Sequence, residues 1–205
     1  RANPSIASET LIGQKIPQAG YEKVKDTYAE KILAYKDIID VDYTANYIDS
    51  DSLVRVWEDA AGTFFVHYLI EPKKLTFEQA EDVFQSNLEI NGSVKDLSGK
   101  TIYQFERKVP IKMNEAQIEK IKTKLFSFQD MFPLIQGLYR LDVLFKNVVS
   151  KEFTSVEADL TIPEAASLQL SPLILANRVE KNSQYKGQNK PFLMDNIQLL
   201  ASPRT

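Results

Sequence analysis

The chain contains no cysteine. Disulfide staples, thiolate metal sites and a cysteine nucleophile are therefore excluded. It has a single histidine, His67, so a zinc site built on two or more imidazoles, or on thiolates, cannot form within it. Tryptophan is as scarce, with Trp57 alone. The net charge of −3 leaves no electrostatic footprint for nucleic acid or an anionic membrane. No apolar run approaches the roughly 20 residues of a membrane span. There is no glycine-rich phosphate loop and no repeat of fixed period. The sequence opens at Arg1 without Met and shows no signal peptide, so it reads as a mature or excised piece of a longer product.

What is present is strand chemistry. A chain of 205 residues suits one large domain or two small ones. A single domain of this length buries about 70% of the surface its unfolded chain exposes. The richest segment is Pro133-Leu134-Ile135-Gln136-Gly137-Leu138-Tyr139-Arg140-Leu141-Asp142-Val143-Leu144-Phe145. Tyr139, Leu141, Val143 and Phe145 fall on one strand face, and Arg140 and Asp142 fall on the other. A glycine turn feeding a tyrosine-led strand predicts the tyrosine corner of an immunoglobulin-like sandwich.

The rest of the chain fits that reading. Residues 1–20 form a loose lead-in. Tyr21, Val24, Tyr28, Ile32 and Tyr35 recur at spacings of three and four, which predicts an amphipathic helix to about Lys36. Ile39, Val41 and Tyr43 begin the β texture. Leu53–Trp57 and Thr63–Ile70 flank a loop that ends in Gly62, as hairpin arms do. Lys73–Glu78 reads as a short extended piece, and Thr76–Glu81 equally as a brief helical turn. Leu88, Ile90, Gly92 and Val94 alternate cleanly with polar neighbours. Asp96-Leu97-Ser98-Gly99 closes a hairpin with glycine at positive φ. A return strand is expected over Lys100–Val109, and a helix crossing between sheets over Asn114–Phe126. Glu152–Ile162 alternates again and stops at Pro163. Two further strands are expected, Leu168–Ala176 and Phe192–Leu200, with an exposed flexible loop at Asn177–Lys190 between them.

The expected fold is thus all-β: an immunoglobulin/fibronectin III-like antiparallel sandwich with a short N-terminal helix and a crossing helix. The expected organisation is a lead-in and helix over 1–36, the sandwich over 37–163, and additional strands over 164–205. Those last strands would pack on the sandwich or lead to a further domain downstream.

Three blocks carry a family likeness. They are Val94-Lys95-Asp96-Leu97-Ser98-Gly99-Lys100, Asp130 through Leu141, and Leu168-Gln169-Leu170-Ser171-Pro172-Leu173-Ile174-Leu175-Ala176. In order and spacing this part of the chain resembles the β-sandwich regions of GWxTD-domain proteins and of related von Willebrand A-type proteins of Acidobacteria. Pro191-Phe192 and Ile197-Gln198-Leu199 also fit. Gln136-Gly137 stands where that family has Pro-Gly. The Gly-Trp-x-Thr-Asp motif is missing, as is the Asp-x-Ser-x-Ser of a von Willebrand A-type metal site. The resemblance implies an exported bacterial protein, periplasmic, cell-surface or secreted. It brings no catalytic residue with it.

The chemical inventory is thin. His67 lies mid-strand beside Phe65 and Leu69, with no nucleophile-elbow sequence to serve, so a plain packed histidine is the expectation. Asp40, Asp42, Asp49 and Asp51 cluster, and aspartates in loops supply calcium ligands. Their spacing is no EF-hand, and aspartate at strand ends commonly bonds local backbone. Trp57 with Tyr43 and Tyr47 would make a sugar-stacking platform if exposed, or core if not. Lys120, Lys122 and Lys124 read as a solvated helix face. No catalytic, metal or cofactor site is assigned and no enzyme activity is expected. The functional expectation is an extracytoplasmic interaction or structural module of a larger bacterial envelope or secreted protein. Its partner would be another protein or a neighbouring domain of the same precursor, with self-association through sheet edges as a further possibility. The alternative is a carbohydrate-binding module appended to an enzyme.

Overall fold

A computed structural model describes residues 46–122, 126–164, 170, 172–181 and 189–203. They belong to a unit running from Ala45 to Thr205. The predicted helix over 21–36, the strand around Val41 and the lysines at 120, 122 and 124 lie outside the residues or side chains described.

Two antiparallel sheets carry the fold. The first is β1 (Ser50–Glu58), β2 (Phe64–Pro72) and β6 (Phe128–Pro133), in the order β1-β2-β6. The second contains β4 (Val83–Asp96), β5 (Thr101–Asn114), β7 (Gly137–Asn147) and β8 (Glu152–Ile162). In it β5 flanks β4, β4 pairs β7 and β7 pairs β8. A short β3 (Glu78–Ala80) adds to the start of β4. Three strands thus face five in the antiparallel, immunoglobulin-like sandwich expected from the sequence. The crossing helix is present as α1 (Glu115–Lys122), shorter than the 114–126 expected. Asn114 opens it, because its Oδ1 accepts the Gln117 N–H while the Gln117 side chain accepts the Asn114 N–H.

The alternation read from the sequence sets the core. Leu88, Ile90 and Val94 of β4, Leu141 and Val143 of β7, and Val66, Tyr68 and Ile70 of β2 are fully buried between the sheets. Tyr68, Phe105 and Phe132 fill the space with ring centroids 5.3–6.2 Å apart. Gly92 stands opposite Phe105, whose ring takes the place of a side chain; a Cβ there would lie 2.0 Å from it. The two hairpins repeat one device. Asp59 and Asp96 each accept backbone N–H bonds from the residues two and four positions on, and Gly62 and Gly99 supply φ of 82° and 84°.

The tyrosine corner is present. Tyr139 is buried, and its hydroxyl donates to the Gln136 carbonyl at 3.2 Å. Gly137 leaves room for the ring, since a Cβ there would lie 2.6 Å from the Tyr139 hydroxyl oxygen.

The C-terminal part departs from the sequence reading. Residues 172–175 are irregular, and β9 (Ala176–Lys181) starts where the flexible loop was expected. The final strand is two pieces, β10 (Leu193–Met194) and β11 (Ile197–Ala201), because Asp195 takes φ of 52° and turns the chain. β10-β11-β9 is a small third sheet. The return strand β5 runs on to Asn114 rather than stopping at Val109. In the 73–78 stretch, only Glu78 is extended in a sheet.

Tyr139→Ala is expected to cost about 3 kcal/mol or more of stability, as other buried aromatic truncations do, and Tyr139→Phe about 1 kcal/mol for its one hydrogen bond. Urea unfolding measures both. An Ala effect below about 0.5 kcal/mol, the size seen at surface positions, would remove the corner from the core.

Candidate functional site

Because side chains alternate along β1, β2 and β6, a second set points away from the sandwich core. Leu53, Arg55 and Trp57 stand opposite Leu69, His67 and Phe65, and Met131 of β6 stands opposite His67. This outer face is covered. Phe192 and Ala201 pack with Leu53, Trp57 and Leu69 in a second buried cluster, joined by Ile174, Met194 and Leu199.

His67 sits in this seam, 2% exposed. The Trp57 ring stacks on its imidazole at 3.4 Å between centroids and 6° between planes, and Phe192 tilts against both rings. The Phe192 backbone N–H donates to Nδ1 at 3.1 Å. Nδ1 therefore carries the lone pair and the proton sits on Nε2. Nε2 is buried and has no hydrogen-bond partner among the described residues. Burial lowers the imidazole pKa to about 3, so the ring is neutral at physiological pH.

Beside this stack lies a cleft of about 510 Å³. Its apolar walls are Trp57, Phe65, Met131, Leu193 and Met194, with His67 among them. Its polar residues are Glu58, Asp59, Asn189, Lys190 and Asp195. Asp195 of that lining takes φ of 52°, which aspartate tolerates, and Phe192, one residue before Leu193, holds φ of 54°. A bulky aromatic in the left-handed region is a true outlier.

Glu152, which is buried, and Asp130, which is half-buried, tie elements together. Glu152 accepts from the Thr76 hydroxyl at 2.6 Å, the Thr76 N–H at 3.2 Å and the Ser150 hydroxyl at 2.7 Å. Burial pushes its pKa up, but these bonds outweigh burial and hold it below the usual value. Asp130 accepts from the Tyr68 hydroxyl at 3.3 Å and from Arg107 Nε at 3.0 Å, joining β6 to β2 and β5. Burial and then Asp130 push the Tyr68 phenol up, so it stays protonated.

The structure separates the residues grouped from the sequence. Trp57 is 9% exposed and stacked on His67, so it is no open sugar platform. Tyr47 packs edge-on against Phe153 instead, and Tyr43 lies outside the described residues. Asp51 is ion-paired with Lys73, Asp49 accepts the Lys73 N–H through its carbonyl, and Asp40 and Asp42 lie outside. Among the described residues no group of three or more His, Asp or Glu side chains could hold a metal ion. His67 is packed, as expected. Its partner Phe192 was missed. The signal was there: Phe64-Phe65-Val66-His67-Tyr68-Leu69-Ile70 is nearly continuous in apolar character, which marks a strand covered on both faces. Asp195-Asn196, a turn pair, also marked the break in the last strand.

No family model and no curated protein matches the sequence. Solved structures do resemble it. One is a β-glucuronidase of Bacteroides uniformis, at 12% identity and a TM-score of 0.33, covering 56% of this chain and 14% of that one. Another is a β-glucuronidase from glycoside hydrolase family 2, at 15% identity and a TM-score of 0.33, covering 57% of this chain and 12% of that one. The chain thus spans about a seventh or less of these enzymes' length. No residue role is transferred from them.

The neutral buried imidazole sets a pH dependence. The unfolded chain takes up a proton near pH 6.5 and the folded chain only near 3, so folding loses stability as pH falls through that window. Between pH 6.5 and 5 few carboxylates titrate. There the urea midpoint is expected to drop in the native chain and to stay level in His67→Phe. Equal slopes would show that His67 is not buried neutral.

Proposed function

We propose that this chain is a non-catalytic, extracytoplasmic β-sandwich module that holds a neighbouring domain of the same protein. The observation that carries the reading is an exposed apolar pole. Leu97 in the β4–β5 turn is 81% exposed, and Ile135 and Leu138 in the β6–β7 corner are 75% and 51% exposed. Leu97 and Leu138 line one shallow groove with Gly137 and Tyr139. Side chains this apolar, held on turns that hydrogen bonds make rigid, suit docking better than solvent. The pole is also where β8 ends, since Ile162 pairs with Gly137.

The chemistry of the described residues agrees. A general base needs a free lone pair near a nucleophile. The His67 lone pair is committed to the Phe192 backbone. The long edge strand β5 carries Arg107, Lys108, Lys112 and Pro110, residues that disfavour edge-to-edge pairing. Self-association through that edge is accordingly a weaker reading than docking at the pole. Export and the GWxTD-type parentage rest on the sequence resemblance alone. No described helix is long and apolar enough to cross a membrane.

A photo-crosslinking residue placed at position 135 of the full-length protein tests the reading. It should crosslink to a flanking domain, whereas the same residue at exposed position 106 on β5 should not. Equal yields at the two positions, or none at 135, would overturn it.

A further inference from the structure

We propose that the cleft beside Trp57 and His67 binds a neutral sugar residue, with the Nε2–H of His67 donating to a sugar oxygen. This goes beyond the docking reading, uses a different face, and succeeds or fails separately from it.

The argument begins with the donor. The Phe192 N–H fixes the tautomer, so Nε2 must present a proton. That proton has no acceptor among the described residues. A buried donor left unmatched is costly, and such groups in folded proteins call for a reason. The imidazole belongs to the wall of a cleft whose volume falls in the range of roughly 300–1,000 Å³ typical of small-molecule sites. Met131 and Met194 share that wall. Their unbranched thioether chains can yield and open a path to Nε2. Phe192, next to the lining residue Leu193, holds φ of 54°, a conformation that a bulky aromatic keeps only where its surroundings fix it.

The lining then selects the ligand class. A ligand here needs an acceptor oxygen for Nε2–H and an apolar side for Phe65, Leu193 and the methionines. It also needs hydroxyl donors for Glu58 and Asp195, and an uncharged character. Among the described residues, Glu58, Asp59 and Asp195 place three carboxylates at the cleft against one ammonium, that of Lys190. An anion is therefore disfavoured. A neutral pyranose meets all of these needs at once: one face is C–H, and each hydroxyl both donates and accepts. The site is a side-on cleft, unlike a flat aromatic platform, and Trp57 acts as its wall.

Trp57 is the sole tryptophan and lines the cleft, so its fluorescence reports occupancy directly. The native chain is titrated with D-glucose, D-galactose, N-acetyl-D-glucosamine and D-glucuronate. At least one neutral sugar should give a saturable change in emission, and glucuronate should bind at least about ten-fold more weakly than it. His67→Phe keeps a flat ring under Trp57 but removes the donor, and should weaken binding about ten-fold or more. Asp195→Gly suits the left-handed backbone, removes one carboxylate, and should narrow the gap between neutral sugar and glucuronate with the fold intact. Saturable binding by none of the four sugars would overturn the proposal. So would unchanged affinity in His67→Phe with native circular dichroism, or tighter binding of glucuronate. Should His67→Phe fail to fold, the Asp195→Gly ratio decides alone, and an unchanged ratio overturns the proposal.

Discussion

Strand β2 is buried on both of its faces, and the rest of the structure is arranged around that fact. Its inner residues Val66, Tyr68 and Ile70 meet the five-stranded sheet, and its outer residues His67 and Leu69 lie beneath the C-terminal sheet. A strand with two apolar faces cannot sit at the surface of a two-layer sandwich without exposing one of them. The third layer, β9 to β11, meets that requirement. Phe192 is its anchor, fully buried against Trp57 and His67. Under it lies an imidazole that burial keeps uncharged, and among the described residues its hydrogen bond is to the backbone of the anchoring residue.

The inner core was legible in the sequence because period-two alternation has a single structural meaning. Leu88 to Val94 and Tyr139 to Phe145 named their own faces, and the Asp96–Gly99 turn named its geometry. Tyr139 could be placed because a hydroxyl at the start of such a strand has one backbone carbonyl within reach. The third sheet was legible only in its final strand. Its last strand fell largely within the strand expected over Phe192–Leu200, but Ala176–Lys181 was read mostly as loop, because its pairing with Ile197–Ala201 is non-local. A positive φ at an aromatic residue, as at Phe192, is dictated by tertiary packing and has no local sequence signal.

The candidate site falls between those two levels. His67 and Trp57 were singled out separately, one as a lone imidazole and one as a possible platform. Their stacking depends on the register of β1 against β2, which sets Arg55 opposite His67 and brings Trp57 diagonally over it. The cleft exists only because a later part of the chain returns to that face. The apolar pole was hidden for a different reason. Leu97 lies in a turn the sequence predicted, and Ile135 and Leu138 flank another, but only the fold shows that all three side chains point outward together.

The dependence of the outer layer on the buried histidine can be read at one amide. Residue-resolved hydrogen exchange at neutral pH measures the opening of the Phe192 N–H, which donates to His67 Nδ1. If β2 is truly covered on both sides, this amide exchanges as slowly as those of β2 itself, well below the rate of the exposed Asp59–Gly62 turn. Exchange at the rate of that turn would mean that the third sheet does not hold the face, and the double burial of β2 would be wrong.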